Sequence, residues 1–235
     1  LLNRYNRGEI DFNNVNTNTK LNDEIQNSDD SKVSVLNSVE VESEVHAAIN
    51  PIDSNNIVIS PIFQRDGGSN PQLYCSVYYT KDGGDTWRLS NFKTPIYQFN
   101  NVLIRGGGDP VLAFDNNGRV YLTWLYFFID SQEITYTTLY WAYSDDGGKT
   151  WEEPKDPFIT LFSSSNSNNV KLADKQWMTV NKNNDLFVSY TLIEQKEGGQ
   201  NTSIEVAKLP AGTEKFAPPV NVSGNLAGLT QFSTL

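Results

Sequence analysis

The octapeptide SDDGGKTW at residues 144–151 decides the fold, because the chain holds a second copy of it, TKDGGDTW, at residues 80–87. The tryptophans that close the two copies, Trp87 and Trp151, are 64 residues apart. A further 65 residues lead to Phe216, which closes a degenerate third copy. Self-similarity at a fixed period of this length indicates a repeat architecture in which each unit is one supersecondary element.

The segments between the copies repeat as well. Each unit contains four short segments rich in Val, Ile, Tyr, Phe and Trp, separated by polar turns. This pattern predicts a sheet of four antiparallel strands, and the middle strands are apolar on both faces, as in sheets packed between neighbours. We therefore predict an all-β fold, a β-propeller of four-stranded blades. The expected divisions are an Asn/Asp-rich linker or arm at 1–32 and a partial propeller at 33–235, with blades at about 40–95, 105–158 and 172–224 and the start of another at 225–235.

The octapeptide has the composition of a turn that holds itself. The hydroxyl of Ser144 and the carboxylate of Asp146 can accept hydrogen bonds from backbone N–H groups of the turn, and the paired glycines allow positive φ. The tryptophan is expected to be buried between sheets. We favour this self-capped hairpin over a calcium loop, because the acidic residues lack the spacing of an EF-hand. The structural positions of the two copies are Thr80, Asp82, Gly84, Thr86, Trp87, Ser144, Asp146, Gly148, Thr150 and Trp151.

The composition argues against several classes of function. A net charge of −10 and a pI near 4.6 disfavour nucleic acid and anionic membranes as partners, since both need a basic footprint. No apolar run reaches the roughly 18 residues that membrane insertion requires. The single cysteine, Cys75, allows no internal disulfide, and the single histidine, His46, argues against a zinc site or a Ser-His-Asp triad. We predict no metal and no cofactor, with a structural Ca²⁺ ion as the open alternative.

Acidic residues mark the other end of each unit. Glu44, Asp109 and Asp174 recur at intervals of 65 residues, where the first strand of each unit begins. The repetition favours strand-start caps around a central channel over a general acid/base set, and a cation held in that ring is the alternative. Arg105 precedes three glycines, so it either shapes a binding loop or pairs with a carboxylate. The predicted ligand-binding rim consists of Arg105, Asp109, Asp174, Glu44 and His46.

The two octapeptides match the Asp box, and the sequence resembles the sialidase-like (BNR/Asp-box) β-propeller superfamily over about residues 33–235. The segments HAAINP at 46–51, GDPV at 108–111 and DKQW at 174–177 are similar to a bacterial branch often labelled exo-sialidase or glycosyl hydrolase. The resemblance implies a whole of six blades. The remaining blades or a partner chain would then cover the exposed edges of this arc.

The resemblance also implies that a catalytic site would lie on the face opposite the Asp boxes. A sialidase of this family uses three arginines, a tyrosine nucleophile activated by a glutamate, and an aspartate acid/base. The first inner strand here carries Glu44 and His46 instead of the expected Arg-Ile-Pro. Arg65 falls where the second arginine is expected, and Asp66 is the nearest candidate for the acid/base, although it directly adjoins Arg65.

These observations favour a propeller that binds a glycan or an extracellular protein and lacks classical sialidase activity. One alternative is an exo-sialidase or related glycoside hydrolase whose remaining site residues lie in further blades. Another is an assembly or sorting propeller that binds polypeptide. Because the chain does not begin with methionine and its composition is acidic, we expect a secreted or cell-surface bacterial protein whose signal peptide has been removed.

Overall fold

Three antiparallel sheets make up the computed structural model, which describes residue 33 and residues 41–65, 72–92, 103–164, 170–196 and 199–224. Within those ranges there are thirteen β-strands and no helix. The predicted arm at 1–32 and the segment at 225–235 lie outside the described residues. Accordingly, no helix of the described part is long and apolar enough to cross a membrane.

Each sheet is one blade, and its strands follow one another in the sheet as they do in the chain. The first blade contains β1 (Val41–Asn50), β2 (Asp53–Arg65), β3 (Gln72–Cys75), β4 (Tyr78–Thr80) and β5 (Arg88–Leu89). The second contains β6 (Leu103–Phe114), β7 (Val120–Ile129), β8 (Thr135–Ser144) and β9 (Phe158–Ser164). The third contains β10 (Val170–Val180), β11 (Leu186–Lys196), β12 (Gly199–Leu209) and β13 (Val220–Asn221). In the first blade β3 and β4 both pair with β2 and together take the place of a third strand.

The second blade is buried on both faces, because its side chains alternate between two neighbours. Its even-numbered residues, such as Trp124 and Tyr126, join the core shared with the first blade. Its odd-numbered residues, such as Leu139 and Trp141, join the core shared with the third blade. Sheets stacked face to face in this way are the blades of a partial β-propeller, so the predicted fold class is confirmed.

Each inner strand contains a β-bulge at the same place. The register with the neighbouring strand shifts between Ser43 and His46 in β1, between Gly108 and Val111 in β6, and between Asp174 and Trp177 in β10. Two residues face one across each bulge, which turns the first of them away from the ladder. That residue has positive φ in all three blades: 49° at Glu44, 51° at Asp109 and 51° at Lys175.

The bulges correct the predicted ring of acids. Lys175, not Asp174, is the residue of the third blade that corresponds to Glu44 and Asp109. The bulge residues of the second and third blades are one residue further apart than the repeat period of 65. The period therefore predicts Asp174, the residue before Lys175. These residues also lie within their strands and not before them, so the interpretation as strand-start caps is wrong.

Candidate functional site

The partial propeller has two different faces. The inner strands β1, β6 and β10 begin at one face, which carries the bulge residues, and we name it the bulge face. The octapeptide turns follow β4 and β8 at the opposite end of the strands, and we name that side the box face. The predicted rim residues lie in the inner strands β1, β6 and β10, on the bulge face.

The bulge cluster, Glu44, Asp109 and Lys175, joins three blades through one residue from each. Lys175 Nζ lies 3.0 Å from Asp109 Oδ2. A hydrogen bond from the protonated Glu44 carboxyl to Asp109, followed by burial and the Asp109 charge, raises the pKa of Glu44 above its ordinary value. The hydrogen bond that Lys175 donates to Asp109, opposed by burial, raises the pKa of Lys175. Within the cluster the Asp109 carboxylate therefore favours the protonated form of Glu44 and the charged form of Lys175.

Two aromatic side chains follow the bulge residues along the inner strands. His46 and Trp177 pack edge to face with 5.2 Å between ring centroids, and 37% of Trp177 is exposed. His46 Nδ1 accepts a hydrogen bond from the Leu112 N–H at 3.2 Å, which fixes the imidazole against the second blade. Burial lowers the pKa of His46, so the imidazole is neutral at physiological pH. The pair provides a fixed aromatic surface beside the bulge cluster.

The backbone beside the cluster is held by Gln176, which is 3% exposed. Its side-chain Nε2 donates to the Asp109 carbonyl oxygen, while its Oε1 has no hydrogen-bonding partner among the described residues. This bond ties the third inner strand to the bulge of the second. The position of the Asp109 carboxyl is therefore set by the main chain as well as by Lys175.

The other predicted site residues are only partly described. Arg65 ends β2, paired with Gln72, and Arg105 lies in β6, but the side chains of both arginines lie outside the described residues, as does the whole of Asp66. Asp174 pairs with Thr191 in the ladder and acts on Glu44 and Lys175 through its charge. Of the predicted rim, the structure brings together Glu44 and Asp109, while His46 packs against Trp177 and accepts from the Leu112 N–H.

Sequence reasoning missed Trp177 and places Lys175 on the rim only as the neighbour of Asp174. Both lie in the quoted motif DKQW, so the signal was present, but the assumed period assigned the functional position to Asp174. A lysine in place of a repeated acid changes the chemistry, because the cluster becomes a salt-bridged pair instead of a ring of carboxylates. Among the described residues, no group of three or more His, Cys, Asp or Glu side chains could hold a metal ion.

On the box face, the turn at residues 80–87 is closed by its own side chains. Thr80 Oγ1 accepts hydrogen bonds from the N–H groups of Asp82 at 3.2 Å and Gly84 at 3.1 Å. Asp82 Oδ1 accepts from the Thr86 N–H at 2.9 Å, and Asp82 Oδ2 accepts from the Thr86 hydroxyl at 2.5 Å. Asp82 Oδ1 also accepts from the Thr80 hydroxyl at 2.6 Å, and this bond together with those from Thr86 lowers the pKa of Asp82 to about 2. The indole of Trp87 is half-buried.

The turn at residues 144–151 repeats this network. Ser144 Oγ accepts from the Gly148 N–H at 2.9 Å, and Asp146 Oδ1 accepts from the Thr150 N–H at 2.8 Å. Trp151 is buried against Phe92 of the first blade, with 5.6 Å between ring centroids. The octapeptide of one blade is thereby anchored on the blade before it.

The third copy keeps its shape without these side chains. Leu209 and Ala211 occupy the places of the Ser/Thr and Asp, while Gly212 retains φ at 75°, against 74° at Gly147. Phe216 replaces the tryptophan and is buried edge-on against Trp141 of the second blade, at 5.4 Å. The aromatic anchor between blades therefore persists where the self-capping has been lost.

Comparison with known proteins yields matches of fold only. No protein-family model and no curated protein matches the chain. Among solved structures it is similar to a Hadza microbial sialidase, with 15% identity and a TM-score of 0.48 over 79% of this chain and 34% of that one. It is also similar to an α-L-arabinofuranosidase from Fusarium graminearum, with 19% identity and a TM-score of 0.48 over 79% and 50%. An α-L-arabinanase from Penicillium chrysogenum is similar with 18% identity and a TM-score of 0.47, over 77% of this chain and 49% of that one. The chain thus spans about a third to a half of these proteins.

Proposed function

We propose that this chain is part of a secreted or cell-surface bacterial propeller of the sialidase-like, Asp-box kind, and that its bulge face binds glycans without hydrolysing them. The observation that carries the proposal is that the partly exposed Trp177 follows Lys175 of the bulge cluster by two residues in the same strand. Carboxyl and ammonium groups bind sugar hydroxyls through charge-assisted hydrogen bonds, and an aromatic ring offers an apolar surface to the C–H face of a sugar.

The direct interaction of the two carboxyl groups supports binding over hydrolysis by a paired-carboxylate glycosidase mechanism. Glycosidases hold their two catalytic carboxyls about 5–9.5 Å apart, so that the scissile bond lies between them. Glu44 and Asp109 instead lie close enough for a protonated Glu44 to donate a hydrogen bond to Asp109, and Asp109 is also paired with Lys175. Neither carboxyl is free to take a separate role as nucleophile or acid in this arrangement.

The charge of the cluster supports a preference among glycans. Among the side chains that the structure describes on this face, two carboxyl groups face one ammonium, and Asp174 adds a further negative charge nearby. An anionic sugar would need spare cations to neutralise its carboxylate. We therefore expect neutral glycans to bind better than sialylated ones.

The test is a glycan array together with hydrolysis assays on the full chain. We expect neutral glycans to bind and no turnover of a fluorogenic sialoside. Trp177→Ala should abolish binding, Trp177→Phe should retain part of it, and Leu161→Ala, which removes an exposed apolar residue of β9, should leave it unchanged.

Three results would contradict the proposal. Sialoside turnover that is lost on Arg65→Ala would establish the exo-sialidase alternative. Capture of polypeptide with no glycan bound would establish the assembly alternative. Glycan binding that survives Trp177→Ala would place the ligand elsewhere on the molecule.

A further inference from the structure

The box face carries an open groove where the second and third blades meet. It encloses about 330 Å³. Polar side chains dominate its walls: Asp115, Asn117, Arg119, Tyr121 and Asp145 from the second blade and Asn184 from the third. Neither the bulge cluster nor the His46–Trp177 pair contributes to it, so the groove is separate from the site of the proposed function.

The corresponding place between the first and second blades is filled. Asn56, which is fully buried, donates hydrogen bonds from Nδ2 to the carbonyl oxygens of Thr80 and Gly147, each at 3.0 Å. A Cβ atom added at Gly147 would lie 2.3 Å from Asn56 Oδ1 and 2.0 Å from Lys81 Nζ. The glycine turn of the second blade therefore fits directly onto the first.

At the junction of the second and third blades, two corresponding positions carry different residues, and these differences leave the groove open. Arg119 directly precedes β7, and Asn56 holds the same position before the residues of β2 that pair with β4. The Arg119 side chain, however, contacts its own blade. Its Nε and Nη2 bind Asp145 at 2.6 and 2.9 Å, with the guanidinium 4.4 Å from the Tyr143 ring centroid. In the third blade nothing lies within 4 Å of a Cβ added at Gly212, and Ala211 replaces the aspartate of the turn.

The lining offers donors and acceptors together. Arg119 keeps N–H groups beyond the two bound to Asp145. The amide of Asn117 is exposed and makes no side-chain hydrogen bond within the described part of the chain, so both its donor and its acceptor are available. Asp115 is 5% exposed, and both its carboxylate oxygens already accept hydrogen bonds: Oδ1 from the N–H groups of Asn117 and Arg119, each at 2.9 Å, and Oδ2 from the Tyr121 hydroxyl at 3.4 Å. Asp145 neutralises Arg119, so no unpaired cation remains for an anionic ligand.

We infer that this groove binds a neutral, hydroxyl-rich ligand of about one or two sugar units. Its volume lies at the lower end of the range of ligand sites, roughly 300–1,000 Å³. Hydroxyl groups both donate and accept, which matches a lining of amide, guanidinium and carboxylate groups. The groove exists because the third octapeptide is degenerate. It gives the molecule a second binding site, on the box face, independent of the bulge face.

The test is an amide NMR titration of the full chain with neutral methyl glycosides of glucose, galactose, mannose and N-acetylglucosamine. At least one sugar is expected to shift the amides of residues 115–119, 145 and 211–212 together. Asn117→Ala, which removes an exposed amide, and Ala211→Trp, which fills the groove, are each expected to weaken binding about tenfold or more. Asn183→Ala is the matched control, because Asn183 occupies the same turn position in the third blade and lies outside the groove.

Several outcomes would overturn the inference. These are the absence of groove shifts with every sugar, equal weakening by Asn183→Ala, undiminished binding in Ala211→Trp, or tighter binding of inorganic phosphate than of any sugar. Trp177→Ala separates the two sites: it is expected to leave the groove shifts intact. If it removes them, the sugar binds only at the bulge face and the groove is not a site.

Discussion

Lys175 Nζ lies 3.0 Å from Asp109 Oδ2, so an ion pair joins the inner-strand bulges of the third and second blades. Both side chains are partly exposed, and such pairs usually contribute less than about 1 kcal/mol to the free energy of unfolding. The importance of the pair is therefore geometric. It orients the Asp109 carboxyl, to which a protonated Glu44 of the first blade also donates a hydrogen bond, so that Asp109 couples all three blades at the channel.

Opposite changes in the pKa of Glu44 are expected from the two partners. Asp109→Asn removes the negative charge that raises this pKa and adds an amide donor for the ionised Glu44 carboxylate, so the pKa should fall. Lys175→Met removes a positive charge that lowers it, so the pKa should rise. Asparagine tolerates the positive φ at this position, so Asp109→Asn is expected to fold. Carbon-detected NMR titration of the Glu44 carboxyl measures both shifts, and changes of the same sign would exclude the cluster as described.

The raised pKa of Glu44 also predicts how stability depends on pH. The folded state binds the Glu44 proton more tightly than the unfolded state, so this group favours folding below its ordinary pKa of 4.5. That contribution is lost as the pH rises through the higher pKa of the folded state. Glu44→Gln should therefore flatten the fall in the free energy of urea unfolding above pH 4.5. An unchanged slope would show that the pKa of Glu44 is not raised in solution.

The repeat allowed the fold to be predicted, because the octapeptides, the polar turns and the doubly apolar strands all indicate stacked sheets. The site could be predicted only in part. A bulge adds one residue to a strand, and a shift of one residue exchanges the side chain that faces the channel. For this reason the sequence repeat predicts Asp174 at the position that Lys175 occupies. The pairing of Arg119 with Asp145, and the groove beside it, depend on contacts between and within blades that no local pattern encodes.

Asn56→Ala should destabilise the junction of the first two blades. The change leaves the carbonyl groups of Thr80 and Gly147 without their Asn56 donor, and the Asn50 amide without the acceptor that lies 3.2 Å away. Buried polar groups left unpaired cost about 1–3 kcal/mol, and we expect a loss in that range. Chemical denaturation measures the loss. Asn55→Ala, at the exposed neighbouring position, should change stability by less than about 0.5 kcal/mol; equal effects of the two changes would contradict the role of Asn56.

Gly147→Ala and Gly212→Ala separate backbone strain from packing. The two glycines share the same φ, 74° and 75°, so alanine meets the same conformational penalty of roughly 1 kcal/mol at both. Only at Gly147 would the new Cβ meet a neighbouring blade, 2.3 Å from Asn56 Oδ1. Overpacking typically costs about 1–3 kcal/mol more, so Gly147→Ala should unfold at a clearly lower denaturant concentration than Gly212→Ala. Equal midpoints would mean that the turn does not fit onto the first blade.

Asp82→Asn should change the acid sensitivity of the turn at residues 80–87. Hydrogen bonds from the hydroxyls of Thr80 and Thr86, and then from the Thr86 N–H, lower the pKa of Asp82 to about 2. A group whose pKa is lowered in the folded state stabilises that state above its ordinary pKa, here 3.8, and this contribution is lost as the pH falls from 3.8 to about 2. The variant should therefore lose less stability over that interval than the wild type, as followed by thermal unfolding. Asp85→Asn, in the same turn but outside this network, is the control, and an equally flattened profile in that variant would assign the effect to net charge instead of the Asp82 hydrogen bonds.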